Sequence, residues 1–355
     1  MEYVNFMNKE NKKKKVLTIV IPTYNIEKYI EKCLNSFYND ELLKYIEVII
    51  VNDGSTDKSL EIAETFAKKN SSYRIIDKKN GGHGSTINCG IKNCTGNYFM
   101  VVDGDDWVDA KSLLSVINFL NKNLVDAVFM NSIIEIQSNN SQRIHSLKNI
   151  FKNEGFVDLD KININLFKQI GLSNIIYNAI NLKKINLELL EKTYYVDVEY
   201  MIYPLITLNK TYYFDTCVYH YLVGRSNQSI NVNTALKHVD DRNKVIRQIV
   251  SNNTNNSITK SSNFAKKFYY SKMSSVINDY YDILIRGNCD YIAKISDMNN
   301  FLLKYDRNLF NYTGKKYLYI NFSSKTKSKI IIKYSFYLDR ILKKIARVFL
   351  NKFTN

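Results

Sequence analysis

No run in these 355 residues approaches the roughly 20 consecutive apolar side chains that cross a bilayer. The polar stretch Met1 to Lys15 ends in Lys12-Lys13-Lys14-Lys15 and has no apolar core of the kind that directs secretion. Cysteine is sparse: Cys33, Cys89, Cys94, Cys217 and Cys289 are odd in number, irregular in spacing and form no metal-ligand pattern. That excludes a disulfide scaffold and a thiolate metal site, and the expectation is reduced, mostly buried thiols in a cytoplasmic protein. Internal repeats are absent, and residues 226–355 contain no Glu.

What is present is a globular composition. Hydrophobic residues make up 45% and charged residues 24%, which excludes a disordered chain. The length suits one large domain with an appendage. The net charge of +16 is unevenly spread: residues 226–355 carry 23 Lys/Arg against 8 Asp, while residues 1–225 carry 27 basic and 26 acidic groups. A near-neutral body is thus joined to a strongly basic region, and two functional units are expected.

In the first half, strand and helix signals alternate. Val16–Ile21 is a β-branched run stopped by Pro22, and Ile26, Ile30, Cys33, Leu34 and Phe37 then recur at helical spacing. Strands are expected at Glu47–Val51, Tyr73–Ile76, Tyr98–Val102 and Ala127–Ile136, and helices at Ser85–Cys94 and Asp109–Asn121. Asp57 is placed to cap the helix that carries Leu60, Ile62, Ala63, Phe66 and Ala67. Strands separated by helix-length segments imply parallel crossovers and an open, doubly wound α/β sheet. In such sheets ligands bind beyond the carboxyl ends of the strands. Pro22-Thr23-Tyr24, Asp53-Gly54-Ser55, Asn80-Gly81-Gly82 and Asp103-Gly104-Asp105-Asp106 all lie at such ends, so four polar clusters should converge on one crevice.

The last cluster is the most telling. Carboxylates crowded at a strand end repel one another, and Asp103 and Asp105 offer hard oxygen ligands for Mg²⁺ or Mn²⁺ carrying a diphosphate. The alternative is a solvated acidic turn before the helix that starts near Asp109. The three glycines of Asn80-Gly81-Gly82-His83-Gly84-Ser85 would let backbone approach a ligand closely. No Gly-Lys-Ser/Thr follows, so this is not a nucleotide-binding Walker loop. His83 is read as a hydrogen-bond supplier beside the pocket in preference to an acid or base.

Together, Ile19-Val20-Ile21-Pro22-Thr23-Tyr24-Asn25, Val51-Asn52-Asp53-Gly54-Ser55-Thr56-Asp57, Asn80-Gly81-Gly82 and Val102-Asp103-Gly104-Asp105-Asp106-Trp107 closely resemble the family 2 glycosyltransferases. The resemblance covers residues 16–110, with fainter similarity reaching residue 230. It implies a GT-A (Rossmann-like) fold, a mostly parallel sheet flanked by helices, over residues 16–232. It also implies an inverting, metal-dependent transfer of a sugar from a nucleotide diphosphate, typically UDP, to a hydroxyl acceptor on a glycan or lipid-linked glycan.

By that resemblance Pro22, Thr23 and Tyr24 match the loop flanking the nucleoside. Asp53 matches the aspartate that receives hydrogen bonds from the base, its alternative being an Asx-type turn. Gly82 and Gly104 belong to the nucleotide-sugar set. Asp105 matches the direct ligand of Mn²⁺ or Mg²⁺, and Asp103 contacts the ribose or a metal-bound water. Asp106 supports the metal site or caps the next helix, and Trp107 either walls the sugar pocket or packs beneath it. Further on, Asp197 in Tyr194-Tyr195-Val196-Asp197-Val198-Glu199-Tyr200 matches the family's general base. The Glu that usually precedes it is Val196 here, which makes Glu199 a competitor, and the alternative for Asp197 is a helix N-cap. Tyr219 to Arg225 resembles the closing segment over the diphosphate, with Arg225 on the leaving group or simply on the surface.

From residue 233 to 355 helical spacing dominates, following a basic tail at 1–15 and the domain at 16–232. Across 330–353 Ile331, Tyr334, Leu338, Ile341, Leu342, Ile345, Val348 and Phe349 share one broad face flanked by Lys333, Arg340, Lys343, Lys344 and Arg347. Such a basic amphipathic helix suits an anionic membrane surface, or else packs on the protein with its lysines solvated. No nucleic-acid module accompanies the charge. Two competing functions are a nucleotidyltransferase, which would show a Gly-rich basic loop where Pro22-Thr23-Tyr24-Asn25 stands, and a non-catalytic scaffold for membrane or polyanion.

Overall fold

The computed structural model describes residues 15–167, 169–224, 232–253, 257–287 and 291–314. The lysine run before Lys15, Arg225, Cys289 and the amphipathic segment 330–353 lie outside the described residues. The described residues form two compact units: residues 15–224 with Ser262–Ala265, and the remainder from residue 232 onward.

The first unit is built on a sheet of ten strands: β1 (Leu17–Thr23), β2 (Ile46–Asn52), β3 (Tyr73–Asp77), β4 (Tyr98–Val101), β5 (Trp107–Val108), β6 (Ala127–Ile136), β7 (Ser141–His145), β8 (Gly155–Val157), β9 (Ile175–Asn178) and β10 (Thr211–Val223). The order is β3-β2-β1-β4-β9-β6-β10-β5, with β7 on β6 and β8 on β10. Strand β1 runs parallel to both β2 and β4, and β2 parallel to β3. These central strands read as continuous apolar runs because both faces are covered: Leu17, Ile19 and Ile21 pack with Ile30, Cys33, Leu34 and Phe37 in one buried core. The helix Ser59–Lys69 returns β2 to β3, and the helix His83–Asn93 returns β3 to β4. All four strands therefore present their carboxyl ends at the same edge of the sheet.

Two departures from the expected doubly wound pattern matter. Strand β6 does not continue the parallel series; antiparallel β9 lies between it and β4. Ile175-Ile176-Tyr177-Asn178 is a four-residue apolar run without alternation, and periodicity cannot identify so short a buried strand. The helix expected from Ile26 is confined to Ile30–Asn35, because Asn25 adopts a left-handed φ of 51° and the chain turns before helix begins. Beyond residue 210 the long β10 pairs parallel with β6, and its register shifts twice between Phe214 and Tyr219. Past that irregularity Tyr219 is buried and pairs with Val108 of β5. The acidic turn after β4 is thus tied on one side to the parallel core and on the other to β10.

The second unit is helical: Val239–Asn252, the helix Asn263–Gly287 from Lys266 onward, Tyr291–Tyr305 and Arg307–Gly314 are its longer helices. Val245, Ile246, Ile249 and Val250 bury one face, as do Ile295, Met298 and Leu302, at the 3.6-residue period. Tyr269, Tyr280 and Tyr281 are buried with their hydroxyls bonded to Asp306, Asn243 and Asn299 at 3.0, 3.1 and 2.6 Å. Among the described residues no helix is long and apolar enough to cross a membrane.

Candidate active site at the carboxyl edge of the sheet

Two loops at this edge are locked together. Asn25 accepts the Thr56 N–H at 2.8 Å through its side chain, and its own N–H reaches Ser55 Oγ at 3.2 Å. Ile26 N–H donates to Ser59 Oγ at 2.9 Å, and Asp57 accepts from Glu27 N–H at 3.0 Å and from Ser59 N–H at 2.9 Å. Asp57 therefore serves the start of the following helix and the neighbouring loop at once. This brace leaves the Tyr24 ring half exposed beside the end of β2, while Thr23 is buried.

Asp53 is buried and heavily bonded. Its carboxylate accepts from Lys78 Nζ at 2.8 Å, Gly81 N–H at 2.8 Å and Gly82 N–H at 2.7 Å. Its backbone N–H donates to Thr23 O at 2.8 Å, and its carbonyl accepts from Asn80 at 2.9 Å. In this structure Asp53 holds the glycine-rich loop. Gly82 sits at φ 83°, in the left-handed region that suits glycine.

The acidic turn has an inner and an outer part. Asp106 is buried; Tyr219 OH donates to one of its oxygens at 2.6 Å and Leu222 N–H to the other at 2.8 Å. Tyr219 Oη also accepts the Asp103 N–H at 3.1 Å, so one phenol pins both ends of the turn. Burial, and then the nearby Asp103 charge, pushes the Asp106 carboxyl well above the usual carboxylate range. Asp103 and Asp105 are half-buried, and ligand oxygens of all three lie within 4.8 Å of one another. Two outward hard carboxylates braced by a third are the donor chemistry a hydrated divalent cation requires. At Gly104 an added Cβ would lie 2.3 Å from Ile26 Cδ1 and 3.0 Å from Pro22 O. Glycine is what lets the acidic turn press against the β1 loop.

His83 joins this group. Its Nε2 lies 2.8 Å from Asp103 Oδ1. Burial opposes protonation of the ring, but Asp103, followed by Asp197 and Asp53, outweighs it and raises the imidazole above its ordinary pKa. Tyr221 is pushed up to about 12 by burial and then by Asp106, Asp103 and Asp197. One histidine and one tyrosine thus register carboxylates from three separate segments of the chain. Asp197 is exposed at the first position of the helix Asp197–Ile202, whereas Glu199, two residues on, is fully buried. Leu190 N–H donates to Glu199 at 3.0 Å and Tyr203 OH at 3.2 Å, and burial pushes its carboxyl up to about 7.

Residues 18–184 match the family model described as Glycosyl transferase family 2. These residues are a family 2 glycosyltransferase domain. The uncharacterized glycosyltransferase EpsJ of Bacillus subtilis (strain 168) is 41% identical over 113 residues, 32% of this chain and 33% of its own length. The poly(ribitol-phosphate) beta-N-acetylglucosaminyltransferase TarS of Staphylococcus aureus (strain Mu50 / ATCC 700699) is 32% identical over 115 residues, 32% of this chain and 20% of its own length. The matched stretches thus span a third or less of these relatives. The crystal structure of S. aureus TarS 1-349 with UDP-GlcNAc shares the fold at TM-score 0.58 and 19% identity, covering 88% of this chain and 92% of that one. The mannosyltransferase PcManGT of Pyrobaculum calidifontis, solved with GDP-Man and Mn²⁺, does so at TM-score 0.50 and 13% identity, covering 88% and 87%. The fold is the GT-A fold.

Within the glycosyltransferase domain, Pro22 and Thr23 are the last residues of β1, Tyr24, Asp53, Gly82, Asp103, Gly104 and Asp105 lie on the loops after β1 to β4, and Asp197 adds its charge from a later helix. Trp107 packs beside the turn: Lys32 Nζ stands 3.0 Å from its ring centroid, and His220 stacks on it at 5.4 Å with 15° between planes. Lys78 on Asp53 was not singled out by sequence, although a cation in the loop before Gly81 was a signal. Tyr219 and Tyr221 were read only within the Tyr219 to Arg225 segment over the diphosphate; their part around the acidic turn depends on the register shift in β10.

Proposed function

We propose that the chain is an inverting, metal-dependent glycosyltransferase that moves a sugar from a UDP-sugar to a hydroxyl of a cell-surface glycan or polymer. The observation that carries this is the acidic turn Asp103, Asp105 and Asp106 at the strand edge of a family 2 domain, with Asp103 bonded to His83 and Asp197 close enough to act on the same imidazole. The TarS complex with UDP-GlcNAc supports a UDP-sugar donor, and the TarS relative's name supports a polymer acceptor. The PcManGT complex supports Mn²⁺, with Mg²⁺ as the chemical alternative.

In this assignment Tyr24 stacks beside the base, and Asp53 both keeps Gly81 and Gly82 under the nucleotide and offers its remaining acceptor capacity to the base imide. Asp103 faces the ribose side, and Asp105 with Asp103 would hold the cation. Bound there, the cation supplies positive charge to the diphosphate leaving group. Asp197 removes the acceptor hydroxyl's proton as that oxygen attacks the anomeric carbon, because a sugar hydroxyl is a weak nucleophile until its proton is leaving. One displacement inverts the anomeric configuration. We assign the base to Asp197 over Glu199 because Glu199 is fully buried and already bonded to Leu190 and Tyr203.

Arg225 is assigned to the leaving diphosphate and the 330–353 segment to the anionic inner surface of the cell membrane, both from sequence. A thermal-shift screen of UDP- and GDP-sugars with Mn²⁺ tests the donor. Stabilisation by UDP-sugars that vanishes on chelation is expected, and stabilisation by neither class sinks the proposal. Flotation with anionic liposomes tests the surface: the full chain should float and a 1–325 truncation should not, and equal flotation removes that part.

A further inference from the structure

The segment Leu189–Tyr195 lies as a strap across the glycine-rich loop. Leu189 N–H donates to Asn88 Oδ1 at 2.8 Å, and Asn88 Nδ2 returns a bond to Leu189 O at 2.9 Å. Lys192 N–H donates to Gly81 O at 2.6 Å. The approach is close enough that an added Cβ at Gly84 would sit 2.1 Å from Leu190 O, and one at Gly82 would sit 3.1 Å from Lys192 Cα. Lys192 and Tyr195 hold φ at 48° and 68°, a left-handed conformation that residues with side chains keep only where their surroundings over-determine it. The same strap is held by Glu199, whose buried carboxyl takes the Leu190 N–H and the Tyr203 hydroxyl. Asp53 performs the matching task on the other side of the loop, through the Gly81 and Gly82 N–H groups.

Helix geometry links the strap to the base. Residues two apart on a helix point to roughly opposite sides, near 200° apart. The one short helix Asp197–Ile202 therefore sends Glu199 inward to the strap and leaves Asp197 exposed. Val198 N–H also bonds back to Tyr195 O at 3.2 Å, which ties the helix start to the end of the strap.

We propose that Glu199 is a positioning residue for glycosyl transfer: its carboxyl fixes the Leu189–Tyr195 strap against the Gly81–Gly84 loop and thereby sets Asp197 relative to the bound donor. This rests on the assignment of Asp197 as base. A donor that orders the glycine-rich loop then also orders the base, since both are held by the same strap. Misplacing a catalytic group by even ~1 Å costs about a hundredfold in rate, so loss of the strap is expected to lower kcat and leave donor KM little changed.

The test uses the full-length chain with Glu199→Ala, Glu199→Gln and Asn88→Ala, read by amide hydrogen exchange and by Mn²⁺-dependent turnover of UDP-GlcNAc. In Glu199→Ala, amides of residues 189–195 should exchange roughly tenfold faster while β1 to β4 stay protected. Its kcat should fall roughly tenfold or more, with donor KM within about twofold. Glu199→Gln should restore both readouts, because its amide oxygen still accepts the Leu190 N–H. If Glu199→Ala fails to fold, Asn88→Ala decides, with the same pattern expected at smaller size. Unchanged exchange in the strap overturns the proposal, as does protection lost across the whole domain with kcat and KM changing together. If Asp197→Asn turns over at the wild-type rate, the base assignment fails instead, and the exchange measurement, which needs no substrate, still decides the strap.

Discussion

The two units use carboxylates in opposite ways. In the helical unit, among the described residues, carboxylates are matched singly by a cation or a fixed donor, as with Arg247 on Asp297 at 2.5 Å, Lys294 on Asp240 at 2.6 Å and Tyr269 on Asp306 at 3.0 Å. At the sheet edge of the glycosyltransferase domain, Asp103, Asp105 and Asp106 crowd within 4.8 Å, with His83 as the hydrogen-bonding partner of Asp103. Matched charges serve the fold, and crowded like charges persist where a ligand offsets them. Asp106 lies on the inner side of that cluster, where burial first, and then the Asp103 charge, pushes its carboxyl well above the usual carboxylate range.

If that contrast holds, the largest effect of any substitution falls at Asp105. Asp105→Ala should lower kcat/KM for a UDP-sugar roughly a thousandfold, about 4 kcal/mol of transition-state stabilisation, with no loss of thermal stability. Asp106→Ala should do the reverse of a clean catalytic lesion. It strands the Tyr219 hydroxyl and the Leu222 N–H in a buried site, at about 1–3 kcal/mol each, so chemical denaturation should show a loss of roughly 2–6 kcal/mol.

Glu199 gives a pH signature of comparable size. Folding raises its pKa from 4.5 to about 7, so the folded protein holds the proton more tightly than the unfolded chain. The associated stabilisation is complete below about pH 4.5 and is lost as pH climbs through about 7, to a total of roughly 3 kcal/mol. Denaturant midpoints from pH 5 to 8 should fall with that slope in the wild type relative to Glu199→Gln, and parallel curves would show that Glu199 does not titrate as described. The smallest effect belongs to the helical unit: Asp297→Ala breaks a pair whose Asp is exposed, and should cost less than about 1 kcal/mol, less still at high salt.

Much of the parallel half was legible beforehand. Strands β1 to β4 and β6 stand out as apolar runs, although β1 continues through Pro22 to Thr23 and β2 through Asn52, and the rule that ligands gather at carboxyl ends brings Tyr24, Asp53, Gly82 and Asp105 to one edge. What was hidden arises from contacts far apart in sequence. Nothing local announces that antiparallel β9 separates β4 from β6, or that Tyr219, 113 residues from Asp106, donates to it. Asp197 and Glu199 illustrate the same limit. Both look like candidate bases in the string Val196-Asp197-Val198-Glu199, and only the helix orientation, which exposes Asp197 and buries Glu199 against the Leu190 N–H, sets them apart.

The central claim is that the acidic turn carries the cation for sugar transfer. The most direct measurement is the rate of Mn²⁺-dependent release of UDP from a UDP-sugar by the wild-type chain and by Asp105→Ala, with circular dichroism confirming equal folding. The expected result is Mn²⁺-dependent release that falls roughly a thousandfold in the variant. Equal rates in the two proteins, with the same dependence on Mn²⁺, would contradict it.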